Sequence, residues 1–485
     1  MYISIASVVS QAQQYMTDNN KTLVNQANND NHYINKQHYL DVLKKFLSDN
    51  EYTTSDFELD SIDKIADFIY KESVEEGIIT DLLNDDEVEE VNINAFDDVH
   101  VRRAGKAPKT IAEKFLSGSS AIAIIKRMLN KNTATNWDDS RPIIRSFIEK
   151  GGTKLRITAL QGIIVDNADK LVVSIRKINP KHLTGDDFLK NGTVNRGILT
   201  FAQGMVECGI SGVVGGGTGS GKTTWLEYML SFVNPRSLII TIEEDVREFS
   251  LRKKVNYQGE ELKTNVIYLR TKKSDVPAKA INQTNLLETS LTLDPDYIVV
   301  GEMKGAEAWA AQEAGHTGHV VYGTIHIDEA SDAPSRMLTL MKGNNTFDNT
   351  FITRLATEAF PIVFFFQQCE DGVRRCMEIV EFVNFAEPGK KITEPDIRPV
   401  TLFKFQEDTS KRITNMWGKT KHIEGDYIRV NEISDSLLKR LKDKAVSDLA
   451  IDKIRMNKLY EYNDDGTIKM ERVGDDNYKP VLASH

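Results

Sequence analysis

Cysteine is almost missing from this chain. Three occur in 485 residues, Cys208, Cys369 and Cys376, which excludes a disulfide framework and fits a reducing compartment. Cys369 and Cys376 are separated by six residues and no C-x-x-C pair exists, so no structural zinc site is expected. The two are expected as small apolar residues on neighbouring strands. No apolar run reaches about eighteen residues, so no membrane span is expected. Met1–Ser10 has no basic stretch, and no signal peptide is expected. Basic charge is in deficit: 61 Lys and Arg against 71 Asp and Glu give a net charge of −10. A global field for holding nucleic acid is therefore absent, and direct nucleic-acid binding is not expected, although a local basic groove stays open. What remains is an ordinary globular balance, 40% hydrophobic and 27% charged, with length for about two to four domains.

Against this plain background one stretch stands out. Residues 216–223 read Gly216-Gly217-Thr218-Gly219-Ser220-Gly221-Lys222-Thr223, the pattern G-x-x-x-x-G-K-[ST]. Its glycines let successive backbone N–H groups turn inward toward phosphate oxygens. Lys222 is placed to reach the β- and γ-phosphates and the Thr223 hydroxyl to ligate Mg²⁺. Thr224 comes next, in the first turn of a predicted helix whose positive end adds to the same site. An apolar run over residues 210–214 predicts the preceding strand. The expected cofactors are thus ATP and Mg²⁺. A guanine-reading N-K-x-D is absent, and Thr271-Lys272-Lys273-Ser274-Asp275 has the wrong spacing.

The chain divides into four predicted parts. Residues 1–60 are polar, with helical spacing over Tyr39–Leu47, and read as a helical or partly disordered extension. Residues 61–183 read as α+β, with helices over Ile62–Ser73 and Ala121–Leu129 and strands over Val88–Ile93, Val99–Arg102, Lys154–Thr158 and Leu171–Ile175. A Pro- and Gly-marked linker is predicted over Asn179–Gly185. Residues 184–395 alternate apolar strands (Leu238–Ile242, Val266–Leu269, Tyr297–Val300, Val320–Ile325) with helical stretches, the pattern of a mostly parallel sheet. Pro361–Gln368 and Arg375–Val383 flank Glu370-Asp371-Gly372 as a closing hairpin. Residues 396–485 read as a C-terminal extension with an amphipathic stretch over Leu437–Leu449 and no motif.

Hydrolysis of a nucleoside triphosphate needs more than phosphate grip. It needs a carboxylate to orient water, a metal, and cations for developing charge. Glu243-Glu244-Asp245 ends one apolar strand, and ligands gather at strand C-termini in such sheets. Glu244 is the candidate for polarising water or for taking part in Mg²⁺ binding through water, with the register among the three acids open. Asp296–Val300 followed by Gly301-Glu302 is a β-branched strand ending in an acid, which makes Glu302 the candidate general base. His326, at the end of Val320–Ile325, is a candidate to sense the γ-phosphate or to relay its loss to a neighbour. His316 and His319 are three apart without a third ligand, and no metal site is expected there.

Taken together, the phosphate loop Gly216–Thr224, the acidic box Thr241–Phe249, the strand-and-acid block Pro295–Gly305 and the histidine box Gly318–Arg336 resemble the secretion ATPase superfamily of type II and type IV secretion and pilus assembly. Within it the resemblance is to the CpaF/TadA type. It extends upstream through Leu82–Arg103 and Val172–Lys177 and covers roughly residues 75–385. It implies a RecA-like P-loop ATPase domain preceded by a smaller α+β domain, with terminal extensions. It also implies a homo-hexamer with nucleotide between the two domains, and arginines of the first domain on the phosphates, for which Arg156 and Arg176 stand at matching positions. The function implied is a cytoplasmic ATP-driven motor, peripheral at the cell membrane, working on an inner-membrane platform or secretion-channel protein to assemble a pilus or export a substrate. The alternatives are a conjugation-type ATPase of a type IV secretion channel and a nucleotide-gated assembly scaffold. One departure is that the helix over Gln283–Asp294 lacks the arginines usual in CpaF-like chains; Arg270, Lys272 and Lys273 are the candidates to compensate.

Overall fold

The computed structural model describes residues 5–28, 36–54, 59–103, 106–130, 137–150, 153–178, 182–244, 247–251, 254–255, 261–262, 264–272, 276–343, 346–385, 397–414, 416, 420–455, 469–474 and 477–480. The chain forms two compact units, Met1–Lys181 and His182–His485. The predicted linker partly falls in residues 179–181, outside the described set. Its end is a helix start, because Thr184 caps the next helix and shares a capping box with Asp187.

In the first unit, helices α1 (Ile5–Asn19), α2 (Lys21–Asn28), α3 (Lys36–Asp49) and α4 (Ile62–Ser73) bury a common core that includes Val8, Ala12, Met16, Leu43, Leu47, Ile65 and Ile69. The boundary expected at residue 60 therefore cuts through one packed cluster. Ser61 starts α4 by accepting from Lys64 N at 3.2 Å. Next come α5 (Ile79–Asn84), β1 (Val88–Ala95), β2 (Asp98–Arg103), β3 (Lys109–Thr110), α6 (Gly118–Asn130), β4 (Ile143–Lys150), β5 (Thr153–Gln161) and β6 (Leu171–Ile178). The strands make one antiparallel sheet in the order β3-β2-β1-β6-β5-β4. Alternate residues such as Val91, Ile93, Ile157 and Ile175 share a core with Ile124, Ile125 and Met128 of α6, which leaves the intervening residues on the other face. Arg156 and Arg176 lie there, both exposed and paired directly across β5 and β6.

The second unit contains α7 (Gly185–Lys190), α8 (Arg196–Glu207), β7 (Gly212–Gly216), α9 (Lys222–Leu230), β8 (Ile239–Glu243) and a short pair, β9 (Lys254–Val255) with β10 (Glu261–Leu262). It continues with β11 (Val266–Arg270), α10 (Gln283–Leu291), β12 (Tyr297–Val300), α11 (Glu307–His316), β13 (Val320–Ile325), α12 (Ala333–Lys342), α13 (Asn349–Ala359), β14 (Ile362–Gln368) and β15 (Arg374–Asn384). Beyond lie β16 (Ile397–Glu407), β17 (Ile413–Thr414), β18 (Thr420–His422), β19 (Gly425–Arg429), α14 (Asp435–Asp443), α15 (Asp448–Arg455), β20 (Met470–Gly474) and β21 (Asn477–Pro480). A nine-stranded sheet runs β11-β8-β12-β13-β7-β14-β15-β16-β19. Its first six strands are parallel and its last three antiparallel.

Helices cover both faces of the parallel part. Val214 joins a core with α8, α9, α14 and α15, whereas its neighbour Val213 joins one with α10 to α13. The fold is thus α/β with an α+β unit before it. The boundary expected at residue 395 runs through the sheet, because β16 and β19 extend it, and α15 packs on α8 so closely that a Cβ on Gly204 would lie 2.9 Å from Ile454 Cγ1. Of the cysteines, only Cys376 sits on a strand; Cys208 ends α8 and Cys369 lies just past β14.

Candidate nucleotide site

The order of the parallel strands assembles the site. β8, β12, β13 and β7 are consecutive neighbours, so the residues just past their C-terminal ends lie in one row. These are Glu244, the 301–306 loop with Glu302, His326, and the P-loop. With strands about 4.8 Å apart, the row spans only about three strand spacings.

The loop geometry fits a polyphosphate. Gly216 has φ 145°, and a Cβ there would lie 2.0 Å from the Phe366 carbonyl oxygen on β14, so only glycine lets the chain leave β7 this close to its neighbour. Gly221 has φ 95° and starts α9 with no side chain capping the first amides. Uncapped helix-start N–H groups suit an anion. The Lys222 ammonium, buried, donates to Gly216 O at 2.9 Å and Gly217 O at 2.8 Å, and Ser220 Oγ donates to Gly217 O at 2.9 Å. Thr218 and Gly219 form the loop tip, and Thr223 and Thr224 are half-buried in the first turn of α9. Beneath them Trp225 is fully buried among Phe188, Tyr228, Phe364 and Phe366. That aromatic packing fixes the helix on which the loop rests.

A chain of charges runs along the strand ends. His326 Nε2 lies 2.8 Å from Glu302 Oε1. Lys304 Nζ lies 3.0 Å from Glu302 Oε2 and 2.9 Å from Glu244 Oε2. Burial opposes the charge on Lys304, but hydrogen bonds to and the charges of Glu244 and Glu302 outweigh it, and its pKa is raised. His326 moves the other way: burial, then the positive charge of Lys222, lower its pKa, with Lys304 and Arg336 adding and Glu302 opposing. The shift favours the neutral imidazole, and in that form its contact with Glu302 places the proton on Nε2. These side chains are half-exposed, so the pairs add little stability. Their effect is to hold Glu302 and His326 together.

The acidic triplet divides its labour. Glu243 is buried, and its Oε1 accepts from Glu248 N at 2.6 Å and Phe249 N at 3.0 Å. It organises the segment after β8, while Glu244 faces Lys304; Asp245 lies outside the described residues. His316 Nε2 lies 3.1 Å from Leu355 O and His319 Nδ1 2.7 Å from Pro295 O, so both bond to backbone.

Several participants escaped the sequence reading. Lys304 bridges the two acids. Glu307 accepts from Gly305 N at 2.7 Å and from Lys304 N, fixing the loop that carries Glu302. Thr324 Oγ1 donates to Gly301 O at 2.7 Å. Glu227 of α9 accepts from Ser250 N at 2.7 Å. Arg374 donates to Gly219 O at 2.8 Å. Only Lys304 and Glu307 had a signal, their closeness to Glu302. In the first unit, Arg156 stacks over Phe147 at 5.8 Å, and Arg176 is paired on its other side with Glu90. Arg270 is exposed at the end of β11, and α10 carries no arginine; Lys273 lies outside the described residues.

Residues 72–359 match the model of the family described as Type II/IV secretion system protein. An uncharacterized protein of Methanocaldococcus jannaschii is 30% identical over 280 residues, covering 55% of this chain and 36% of that one. The VirB11 protein of Agrobacterium tumefaciens is 24% identical over 322 residues, 60% of this chain and 89% of that one. A twitching motility protein of Neisseria gonorrhoeae is 31% identical over 226 residues, 46% and 54% of the two chains. The chain thus spans about a third of the archaeal relative and most of VirB11. Among solved structures, the VirB11 ATPase from the Brucella suis type IV secretion system covers 62% of this chain and 94% of its own at 21% identity and TM-score 0.32. The pilus retraction motor PilT with bound ADP covers 76% and 86% at 15% identity and TM-score 0.44. With its family match running over more than half of its length, through the P-loop, Glu302 and His326, the chain belongs to the type II/IV secretion system protein family.

Proposed function

We propose that this chain is the subunit of a homo-hexameric cytoplasmic motor that hydrolyses ATP to drive pilus assembly or substrate export. It would work at the cytoplasmic face of the cell membrane through an inner-membrane platform or secretion-channel protein. The observation that carries this reading is the single row formed by the P-loop, Glu302, His326 and Glu244 at the ends of four adjacent strands. No helix among the described residues is long and apolar enough to cross a membrane; attachment through partner proteins is part of the proposal.

In this reading Gly216–Thr224 binds the phosphates, and the Lys222 ammonium exchanges its loop carbonyls for phosphate oxygens. The Thr223 hydroxyl would hold Mg²⁺, which when bound supplies charge neutralisation for phosphoryl transfer. Glu302 orients the attacking water and takes its proton. His326, in contact with Glu302, is proposed to register occupancy of the phosphate site. Arg156 and Arg176, exposed and in register across β5 and β6, are proposed as further phosphate ligands. ATP turnover by the assembled oligomer tests the reading. Lys222→Ala is expected to lower turnover at least a hundredfold, about the effect of deleting one charge-stabilising donor; unchanged turnover would overturn it.

The likeness in sequence to VirB11 of Agrobacterium tumefaciens supports a second reading, a conjugation-type ATPase with the same chemistry. Co-purification with a pilus platform protein, or instead with a DNA-transfer coupling protein, separates the two.

A further inference from the structure

β15 opens on two adjacent arginines that serve different masters. Successive strand residues point to opposite sides, and Arg374 and Arg375 exploit this. Arg374 Nε donates to the carbonyl of Gly219 at the P-loop tip, 2.8 Å away. Its Cδ would lie 3.4 Å from a Cβ built on Gly221, so the side chain runs along residues 219–221. Arg375 turns inward and is buried. Its two Nη atoms donate to the two carboxylate oxygens of Asp371, each at 2.8 Å, and Nη2 also donates to Ile423 O at 2.8 Å. Asp371 Oδ2 in turn accepts from Ile423 N at 3.0 Å. The guanidinium sits 5.2 Å from the Phe405 ring, and the Thr420 hydroxyl bonds Glu370 in the turn before β15. Residues 405, 420 and 423 belong to the extension to which sequence reading assigns no role.

A peptide unit is planar, with its C=O and the next N–H opposed. Holding Gly219 O outward on Arg374 therefore turns the Ser220 N–H inward, where Gly217 O receives it at 3.4 Å. Arg374 thus pins one peptide of the phosphate cradle, and a pinned loop loses less entropy on binding. We propose that Arg374 is a positioning residue of the nucleotide site, acting through the Gly219 carbonyl, and that the C-terminal extension sets its place through the Asp371–Arg375 latch on Ile423. The extension and the P-loop are then coupled: whatever tightens one tightens the other, because coupling is reciprocal. This inference rests on the nucleotide reading of the P-loop.

The test uses the full chain and ADP titrated by calorimetry, with deuterium exchange read over residues 420–429. Arg374→Ala is expected to weaken ADP binding about tenfold, the scale of one hydrogen bond from a charged donor. Arg374→Lys, which keeps a cationic donor, is expected to recover most of that loss. ADP is expected to slow exchange at 420–429 in the wild type and not in Arg374→Ala. Asp371→Asn is expected to weaken ADP binding in the same direction, and no further when combined with Arg374→Ala; additive losses would overturn the latch. If Asp371→Asn does not fold, the exchange measurement, made on the intact latch, decides alone. Wild-type ADP affinity in Arg374→Ala, or exchange at 420–429 indifferent to ADP in the wild type, overturns the inference while leaving the nucleotide reading standing. A wild type that binds no ADP overturns both.

Discussion

The two sheets of this chain put their charge in different places. The antiparallel sheet of the first unit packs one face on α6, and Arg156 and Arg176 stand exposed and in register on the other. In the parallel half of the second sheet, helices cover both faces, and β7 and β8 are buried from end to end. Nothing reactive can project from such a face, so the chemistry gathers past the strand ends, as Glu244, Glu302, His326 and the P-loop do. Each crossover helix that hides a face also returns the chain to the same edge. Topology thus builds the row without any residue being close in sequence.

If the strand ends are where chemistry happens, changing them should cost turnover, not folding. Glu302→Gln keeps the shape and hydrogen-bonding capacity of the side chain but removes the base. Turnover is expected to fall about 10²- to 10⁴-fold, with ATP retained in a filter-binding assay. Hydrolysis at the wild-type rate would remove Glu302 from its role. Gly216→Ala sharpens the other half, because it strikes where a strand end touches the sheet. Its Cβ would overlap the Phe366 carbonyl at a φ of 145°, so a stability loss of about 2–3 kcal/mol is expected from backbone strain. A lowered thermal midpoint together with lost nucleotide binding would show it.

The parallel strands were legible because burial on both faces demands continuous β-branched runs. Tyr297–Val300 and Val320–Ile325 occur where predicted, to the residue. β4 was missed because its inward positions are Ile144, Ser146 and Ile148, and a buried serine breaks the alternation. β16 contains Pro399, which reads as a strand breaker. The same contrast holds in the site. The P-loop, Glu302 and His326 declare themselves by local spacing, whereas Lys304 meets Glu244 across 60 residues and Arg374 meets Gly219 across 155. Such contacts exist only after the sheet has ordered its strands.

The sheet-face arginines offer the reverse experiment. Arg156 and Arg176 oppose each other on an exposed face, so removing either is expected to change stability by less than about 0.5 kcal/mol, while turnover of the assembled oligomer falls about tenfold. Urea midpoints and turnover, measured on the same preparations, check both halves. A large loss of stability with normal turnover would make the pair structural and erase the distinction between the sheets.

The smallest effect concerns His326. Burial and Lys222 lower its pKa below the ordinary histidine value. The unfolded chain therefore takes up this proton at a higher pH than the folded one, and stability rises with pH across that range. Well above the ordinary value of about 6.5 both states are neutral at this residue and its contribution is flat. As pH falls through that value, the unfolded state gains the proton first and stability declines. Glu302, which favours the charged form, limits the decline, whereas Lys222, Lys304 and Arg336 steepen it. Thermal midpoints between pH 8 and pH 5.5 should thus be level at first and then fall, and His326→Gln should fall less over the same interval. An equal fall in both proteins would mean that the imidazole is protonated as readily in the fold as outside it, and that the cations at the strand ends do not reach it.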